Sequence, residues 1–309
     1  MSTTKSKILF ISKWAGIAIA TVVAYLFFFE WVVEKRPFLE WIMVNVNSKD
    51  LQADSHILKM PNGKIFLIDC GDTENTLLPF LKKQKIRDIE KVLISHMHKD
   101  HYGALSALLA TGIRIKEVRL NLPSKENCLK EVPWGCDWEH IQTTLEDLKK
   151  HGVAVLSEKA GDVYYDDQGL KLEVLYAFDG MKTPIGLTDV NDMSVIIRVS
   201  QGKTRLLFTG DLNAPMGAYL ATNFPNELTA DVLKIPHHGT ESVVPNSFLD
   251  AVAPKIAFIP SPKSLWESDR SKRIREYVQN AKIPFYVNGI HGHVKLLLHG
   301  EVYKVKTAR

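Results

Sequence analysis

The chain of 309 residues is 45% apolar and 24% charged, ordinary globular usage that excludes a disordered or fibrous protein. Three cysteines are too few for a disulfide scaffold. The formal charge of +4 gathers near the N-terminus, where Lys5, Lys7, Lys13, Lys35 and Arg36 face only Glu30 and Glu34; the near-neutral remainder excludes a strong global field for nucleic acid.

Residues 14–29 contain no charge, and the apolar run reaches back to Ile8 if Lys13 snorkels. Ile8–Phe29 would span roughly 33 Å as a helix, enough to cross a hydrocarbon core. Trp14, Tyr25 and Trp31 lie towards its ends, as interfacial aromatics do. The polar stripe of a buried core helix is missing, and the Ala18-Ile19-Ala20 triplet lies mid-run, where no signal cleavage site belongs. The run therefore predicts one N-terminal transmembrane helix and a division into a membrane anchor, 1–37, and a catalytic domain, 38–309. Three lysines before the span against Lys35 and Arg36 after it place the protein in the cell membrane, single-pass, with the domain extracytoplasmic. In that oxidising space Cys128 and Cys136 could pair, whereas Cys70 reads as a small buried hydrophobe.

Within 38–309, Ile65–Ile68, Val92–Ile94, Leu170–Leu175, Val195–Val199, Arg205–Phe208, Lys255–Ile259 and Val294–Leu298 are short apolar runs, several closed by Gly, Asp or Pro, and predict strands. Thr76–Lys85, Gly103–Leu109, His140–His151 and Arg270–Ala281 predict helices. The pattern suggests packed sheets with helices outside.

The chemistry concentrates in Ser95-His96-Met97-His98-Lys99-Asp100-His101. Three imidazoles and a carboxylate within six residues, at the end of a strand, suit Zn²⁺ or a similar divalent ion. Thr209-Gly210-Asp211 puts another acid at a strand end. Ile235-Pro236-His237-His238-Gly239 follows a strand-like run; adjacent side chains diverge, so one histidine would bind an ion and the other support it or donate a proton. The acid in Leu67-Ile68-Asp69-Cys70-Gly71 is suited to orienting a ligand histidine. His56, His140, His151 and His299 stand alone and read as structural, and one of His291 and His293 could line a cleft. The basic runs Lys82–Lys91 and Lys263–Arg275 are interleaved with acids and read as solvated helix faces, with phosphate contact as the alternative.

Together, His96-x-His98-x-Asp100-His101, the upstream Leu67-Ile68-Asp69-x-Gly71 and the downstream Thr209-Gly210-Asp211 resemble the metallo-β-lactamase superfamily over roughly residues 40–300. The resemblance implies a mixed α/β (α+β) fold, a four-layer αββα sandwich, with two divalent metal ions between the sheets, zinc first and manganese as the alternative. Carried over, His96 and His98 serve one metal, Asp100 and His101 the other, and Asp211 bridges. One of His237 and His238 completes the second site, with His238 read as the ligand and His237 as the proton donor, and Asp100 and Asn191 as further catalytic groups. Val190-Asn191-Asp192-Met193-Ser194-Val195 and Val232-Leu233-Lys234-Ile235-Pro236-His237-His238-Gly239-Thr240 further resemble the hydrolase domain of ComEC-type competence proteins. Two departures stand out: Asn191-Asp192 lie where many superfamily hydrolases place a histidine, and Pro260–Trp266 lacks the histidine that the subgroup tends to carry.

The expectation is thus a membrane-anchored binuclear hydrolase of phosphodiester bonds with a nucleic-acid or other phosphodiester substrate. A two-metal site suits that chemistry by holding the attacking and leaving oxygens together. A small ester, a phosphorylcholine ester or a lactone is the alternative substrate, and a metal-stabilised binding module is the non-catalytic alternative.

Overall fold

The computed structural model describes residues 14–28, 31, 38–46, 51–72, 77–131, 135–178, 180–240 and 243–308. Its first sheet comprises β1 (Leu39–Met43), β2 (Ser55–Lys59), β3 (Ile65–Cys70), β4 (Lys91–Leu93), β5 (Glu117–Arg119) and β6 (Ala154–Leu156), completed by β14 (Val294–His299) and β15 (Val302–Thr307), in the order β15-β14-β1-β2-β3-β4-β5-β6. The second comprises β7 (Val163–Asp167), β8 (Leu170–Tyr176), β9 (Ile196–Gln201), β10 (Thr204–Phe208), β11 (Val232–Lys234), β12 (Ile256–Ile259) and β13 (Phe285–Val287), in the order β13-β12-β11-β10-β9-β8-β7. In each sheet four strands run parallel, β3 to β6 and β10 to β13, and the others pair antiparallel.

Successive side chains of a strand face opposite ways, and here both faces are buried. Trp41 and Met43 point between the sheets with Phe66, Leu206, Phe208 and Phe258; the Trp41 ring lies 4.5 Å from the centroids of both Phe208 and Phe258. Ile42, Ile57, Leu67 and Val92 point outward onto α1 (Leu77–Lys83), α3 (Leu105–Ala110) and α4 (Trp138–Lys150), beside the short α2 (Lys99–Tyr102). Leu207, Leu233 and Ala257 point onto α5 (Ala214–Asn223), α6 (Asn246–Val252) and α7 (Lys272–Asn280). The result is the expected helix–sheet–sheet–helix order, with parallel strand ends opening on one crevice.

The membrane reading is corrected. Among the described residues no helix is long and apolar enough to cross a membrane. Residues 14–28 are helical, roughly 22 Å at 1.5 Å per residue, against the roughly 30 Å of a hydrocarbon core. The transmembrane helix, the single-pass cell-membrane localisation and the extracytoplasmic placement that followed from it are withdrawn. Ile8–Lys13, Phe29 and the flanking charges Glu30, Glu34, Lys35 and Arg36 lie outside the described residues. Cys128 and Cys136 form a disulfide with Cα atoms 5.1 Å apart, and Cys70 is buried in the outer core.

Candidate metal centre

Four side chains from the two sheets converge at the strand ends. Asp100 and His101 follow β4 at the start of α2, Asp211 follows β10, and His238 follows β11. Their donor atoms lie within 4.8 Å of one another. Asp211 Oδ2 is 3.2 Å from His101 Nε2 and 3.1 Å from His238 Nε2, and Asp100 Oδ2 is 3.3 Å from His238 Nε2. The Nε2 atoms of His96, His101 and His238 are buried and make no hydrogen bond of good geometry. Buried imidazole nitrogens aimed at carboxylates are costly alone and are the donor set a divalent ion takes, so these residues fit a metal.

Local backbone geometry delivers them. His237, His238 and Gly239 occupy the left-handed region in succession, with φ of 47°, 53° and 77°, a conformation that costs non-glycine residues about 1–3 kcal/mol each. It turns His238 inward while His237 lines the cleft. At Gly210, φ is +49° and an added Cβ would stand 2.5 Å from Ser194 Oγ, the atom that accepts the Asp211 backbone N–H at 2.8 Å.

The ligand-type histidines are oriented from behind. Asp69 Oδ2 takes His101 Nδ1 at 2.8 Å, and its two oxygens accept Ser95 N and Ser95 Oγ at 2.7 and 2.8 Å. His238 Nδ1 donates to the Pro260 carbonyl at 2.7 Å. In both rings Nε2 is left facing the carboxylates, as expected where supporting groups orient metal ligands. Asp54, Asp69 and His101 also lie within such a distance of one another. That trio is committed elsewhere: Asp69 to His101 and Ser95, and Asp54 to His56 Nε2 at 2.6 Å and to Lys234 Nζ at 2.5 Å.

Lys234 is the unexpected member. It is 1% exposed, and its Nζ also donates to the Gly210 carbonyl at 2.6 Å and stands 3.4 Å from Asp211 Oδ1. One oxygen of Asp211 thus faces an ammonium and the other faces the two imidazoles. Burial opposes the charge of Asp211, but His101, His238 and Lys234 hold it well below the usual carboxylate range. Asp100 is likewise held at about 2 against burial by His101 and His238. Burial opposes charge on His238 too, yet Asp211 and Asp100 raise it to about 9. Two anionic carboxylates here call for positive charge between them.

A cleft of about 730 Å³ opens over the cluster, lined among others by Lys99, Asn191, His237, Ser264 and Arg270. His237 Nδ1 meets Asn213 Oδ1 at 3.1 Å, while Asn213 Nδ2 donates to both oxygens of Asp189. That fixes the amide, so its oxygen faces the ring and Nδ1 must donate; the lone pair of neutral His237 is on Nε2. Burial lowers its pKa to about 4.

A sequence profile described as the metallo-beta-lactamase superfamily matches residues 49–261. The chain belongs to the metallo-beta-lactamase superfamily. With its donor cluster, it is a metal-dependent hydrolase of that fold. ComE operon protein 3 of Bacillus subtilis is 28% identical over 233 residues, covering 69% of this chain and 27% of that protein. Recombination protein 2 of Haemophilus influenzae is 25% identical over 256 residues, covering 77% and 28%. These two carry the ComEC-type likeness, and the chain spans little more than a quarter of either. Ribonuclease Z of Trichodesmium erythraeum is 30% identical over 129 residues, covering 40% of this chain and 37% of that protein. Among solved structures, CmlA, a diiron β-hydroxylase from Streptomyces venezuelae, superposes with a TM-score of 0.52 at 13% identity over 85% of this chain and 54% of its own, a likeness of fold.

The structure brings Asp100, His101, Asp211 and His238 together and places Asp69 behind His101. His96 and His98 lie outside that mutual cluster: the His96 ring is 4.1 Å from His101 and 4.8 Å from His98. His98 Nε2 is 3.0 Å from Glu131 Oε2. Asn191 is nearly buried, with an Oδ1 that has no hydrogen-bond partner. Glu131, Lys234 and Asp54 were not anticipated, while His56, read as structural, supports Asp54. Lys234 carried a signal: a lysine inside an otherwise apolar strand needs a buried counter-charge.

Proposed function

We propose that residues 38–309 form a metal-dependent phosphodiesterase acting on nucleic acid. The observation that carries this reading is the Asp100/His101/Asp211/His238 donor cluster at the floor of a cleft lined by Lys99 and Arg270. Two cations beside a metal site suit an anionic ester, whereas a neutral lactone would not need them. The names of the relatives Recombination protein 2 and Ribonuclease Z favour a nucleic-acid substrate in the same direction.

Two divalent ions, zinc or manganese, would be held by Asp100, His101, Asp211 and His238 on one side and by His96, His98 and Asp211 on the other, and would supply Lewis acidity towards the phosphoryl oxygens. The chain's own groups do the rest. Lys99 and Arg270 hold flanking phosphate. The Asn191 amide binds a non-bridging oxygen or a water. His237 Nε2, which carries the lone pair of the neutral ring, accepts the proton of the attacking water as the new P–O bond forms, and returns it to the oxygen whose bond to phosphorus breaks. Asn213 and Asp189 keep that imidazole in register.

The test is turnover of bis(p-nitrophenyl) phosphate, single- and double-stranded DNA, RNA, p-nitrophenyl phosphorylcholine and a lactone, with zinc or manganese. Phosphodiester cleavage is expected. Asp211→Ala should abolish it with loss of metal, and Asn191→Ala should lose turnover while keeping its metal. Turnover of the small esters or lactone alone would replace this reading, and zero turnover at full metal occupancy would make the chain a binding module.

A further inference from the structure

Where the superfamily resemblance would place a third histidine the chain has Asn191-Asp192, so His96 and His98 carry more of the second ion position. His98 is not left to itself. Its Nε2 meets Glu131 Oε2 at 3.0 Å, with both side chains about 15% exposed. The other oxygen, Glu131 Oε1, accepts the backbone N–H of Val190 at 2.7 Å, next to Asn191. The Cys136 backbone N–H also bonds this carboxylate. Gly135 makes room for it, since a Cβ there would run into the carboxylate. Glu131 itself lies between Cys128 and Cys136, whose disulfide closes the segment eight residues apart.

A carboxylate on one imidazole nitrogen fixes the tautomer and leaves the other nitrogen as the donor. Asp69 does this to His101 through Nδ1, leaving Nε2 inward. Glu131 does the reverse to His98: it takes Nε2, so that Nδ1 carries the lone pair. An ordinary surface ion pair would not need two backbone donors, a glycine cut-out and a covalent clasp around its carboxylate.

We propose that Glu131 is the positioning residue for His98, and that the Cys128–Cys136 disulfide holds it in place, so that cation binding at the His96/His98 position depends on the bridge. The inference rests on the metal reading of the site and is independent of the substrate. Reduction of the bridge, with two electrons and two protons supplied by an external dithiol, yields two thiols and releases the clasp. Glu131 then loses the restraint that the bridge supplies, His98 loses its fixed tautomer, and the second ion position weakens. Asp100, His101, Asp211 and His238 contain no part of this segment, so their ion stays.

The test uses the full chain and zinc alone. Competitive zinc titration and metal counting are run on oxidised wild type, on dithiol-treated wild type, and on Glu131→Gln and Glu131→Ala. Nitrogen-15 spectra of the histidine rings report the His98 tautomer. Two ions are expected in oxidised wild type, with His98 protonated on Nε2. In Glu131→Ala and in the reduced protein the second zinc should bind about 10- to 100-fold more weakly with mixed His98 tautomers, and Glu131→Gln should fall between them. Retention of the first zinc shows that each form is folded. A second zinc unchanged within threefold in the reduced protein and in Glu131→Ala overturns the proposal, as does an oxidised wild type that binds only one ion. Loss of the first zinc from oxidised wild type would instead remove the metal reading itself.

Discussion

Replacing Lys234 by Met keeps the length of the side chain and removes its charge from a fully enclosed position. Coulomb's law at an effective dielectric of 20 gives roughly 7 kcal/mol for the 2.5 Å contact to Asp54 Oδ2 and roughly 5 kcal/mol for the 3.4 Å contact to Asp211 Oδ1. Burying the ammonium offsets several kcal/mol of that. What decides the outcome is the pair left behind: Asp54 is 0% exposed and Asp211 2% exposed, so two carboxylates would stay buried with less compensation. Removing one partner of such a pair costs about 3–5 kcal/mol, a large part of a typical domain's stability. Urea unfolding at pH 7 in EDTA should therefore show Lys234→Met with a lowered midpoint and an unchanged slope. Saturating zinc should shrink the loss, because the ion takes over compensation of Asp211. Adding Asp54→Asn to Lys234→Met should recover part of it, a coupling that a double-mutant cycle measures. A loss under about 1 kcal/mol in EDTA would refute the reasoning and show that neither carboxylate depends on the lysine.

Asp192 is pushed up to about 7 by burial and by Asp189, so the folded state holds its proton where the unfolded chain, at 3.8, has lost it. Stability from this group therefore falls as pH rises from about 4 to about 7 and levels off above, with an upper bound of roughly 4 kcal/mol. Asp192→Asn, which keeps an oxygen for the Asn213 N–H, should match wild type at pH 4 and exceed it at pH 8 in urea unfolding; an equal difference at both pH values would contradict the assignment. Thiol counting in denaturant without reductant should find one cysteine, Cys70, and three after reduction. Opening the short bridged loop should lower stability by about 2–3 kcal/mol in the chain-entropy estimate.

Much of the donor cluster was legible because its parts are dense and local. Three histidines and an acid in six residues leave few other uses, and Asp69 and Asp211 each end a strong apolar run. The strands read correctly, such as β3, β8 and β14, are apolar and bounded by turn residues. Those missed lack that contrast: β7 has both polar and exposed positions, β15 is only partly buried, and β1 carries Glu40 and runs on into Val44 without a turn residue. Glu131 gave no local sign at all, since its meaning comes from a disulfide, a glycine and His98, which lies in a different loop. His56 reads as solitary in sequence, yet it completes a Trp41–His56–Asp54–Lys234 chain across the sheets. The 14–29 run misled because composition reports apolarity alone, whereas no helix among the described residues is long and apolar enough to cross a membrane.

The pairing of β1 with β14, Leu39 against Leu298, bears on the order in which this protein can be made. Synthesis delivers the N-terminal strands first, so β1 to β6 can associate while one edge of β1 still awaits a partner from the far end of the chain. All four clustered donors have emerged once His238 is out, well before Val294. A nascent chain can therefore own a complete set of ligands while its first sheet is still open. Contacts of such long sequence separation form slowly, and an uncovered strand edge invites pairing with a neighbour. The vulnerable interval in biogenesis is the wait for β14 and β15, and damage to those strands should appear as aggregation rather than as a simple loss of activity.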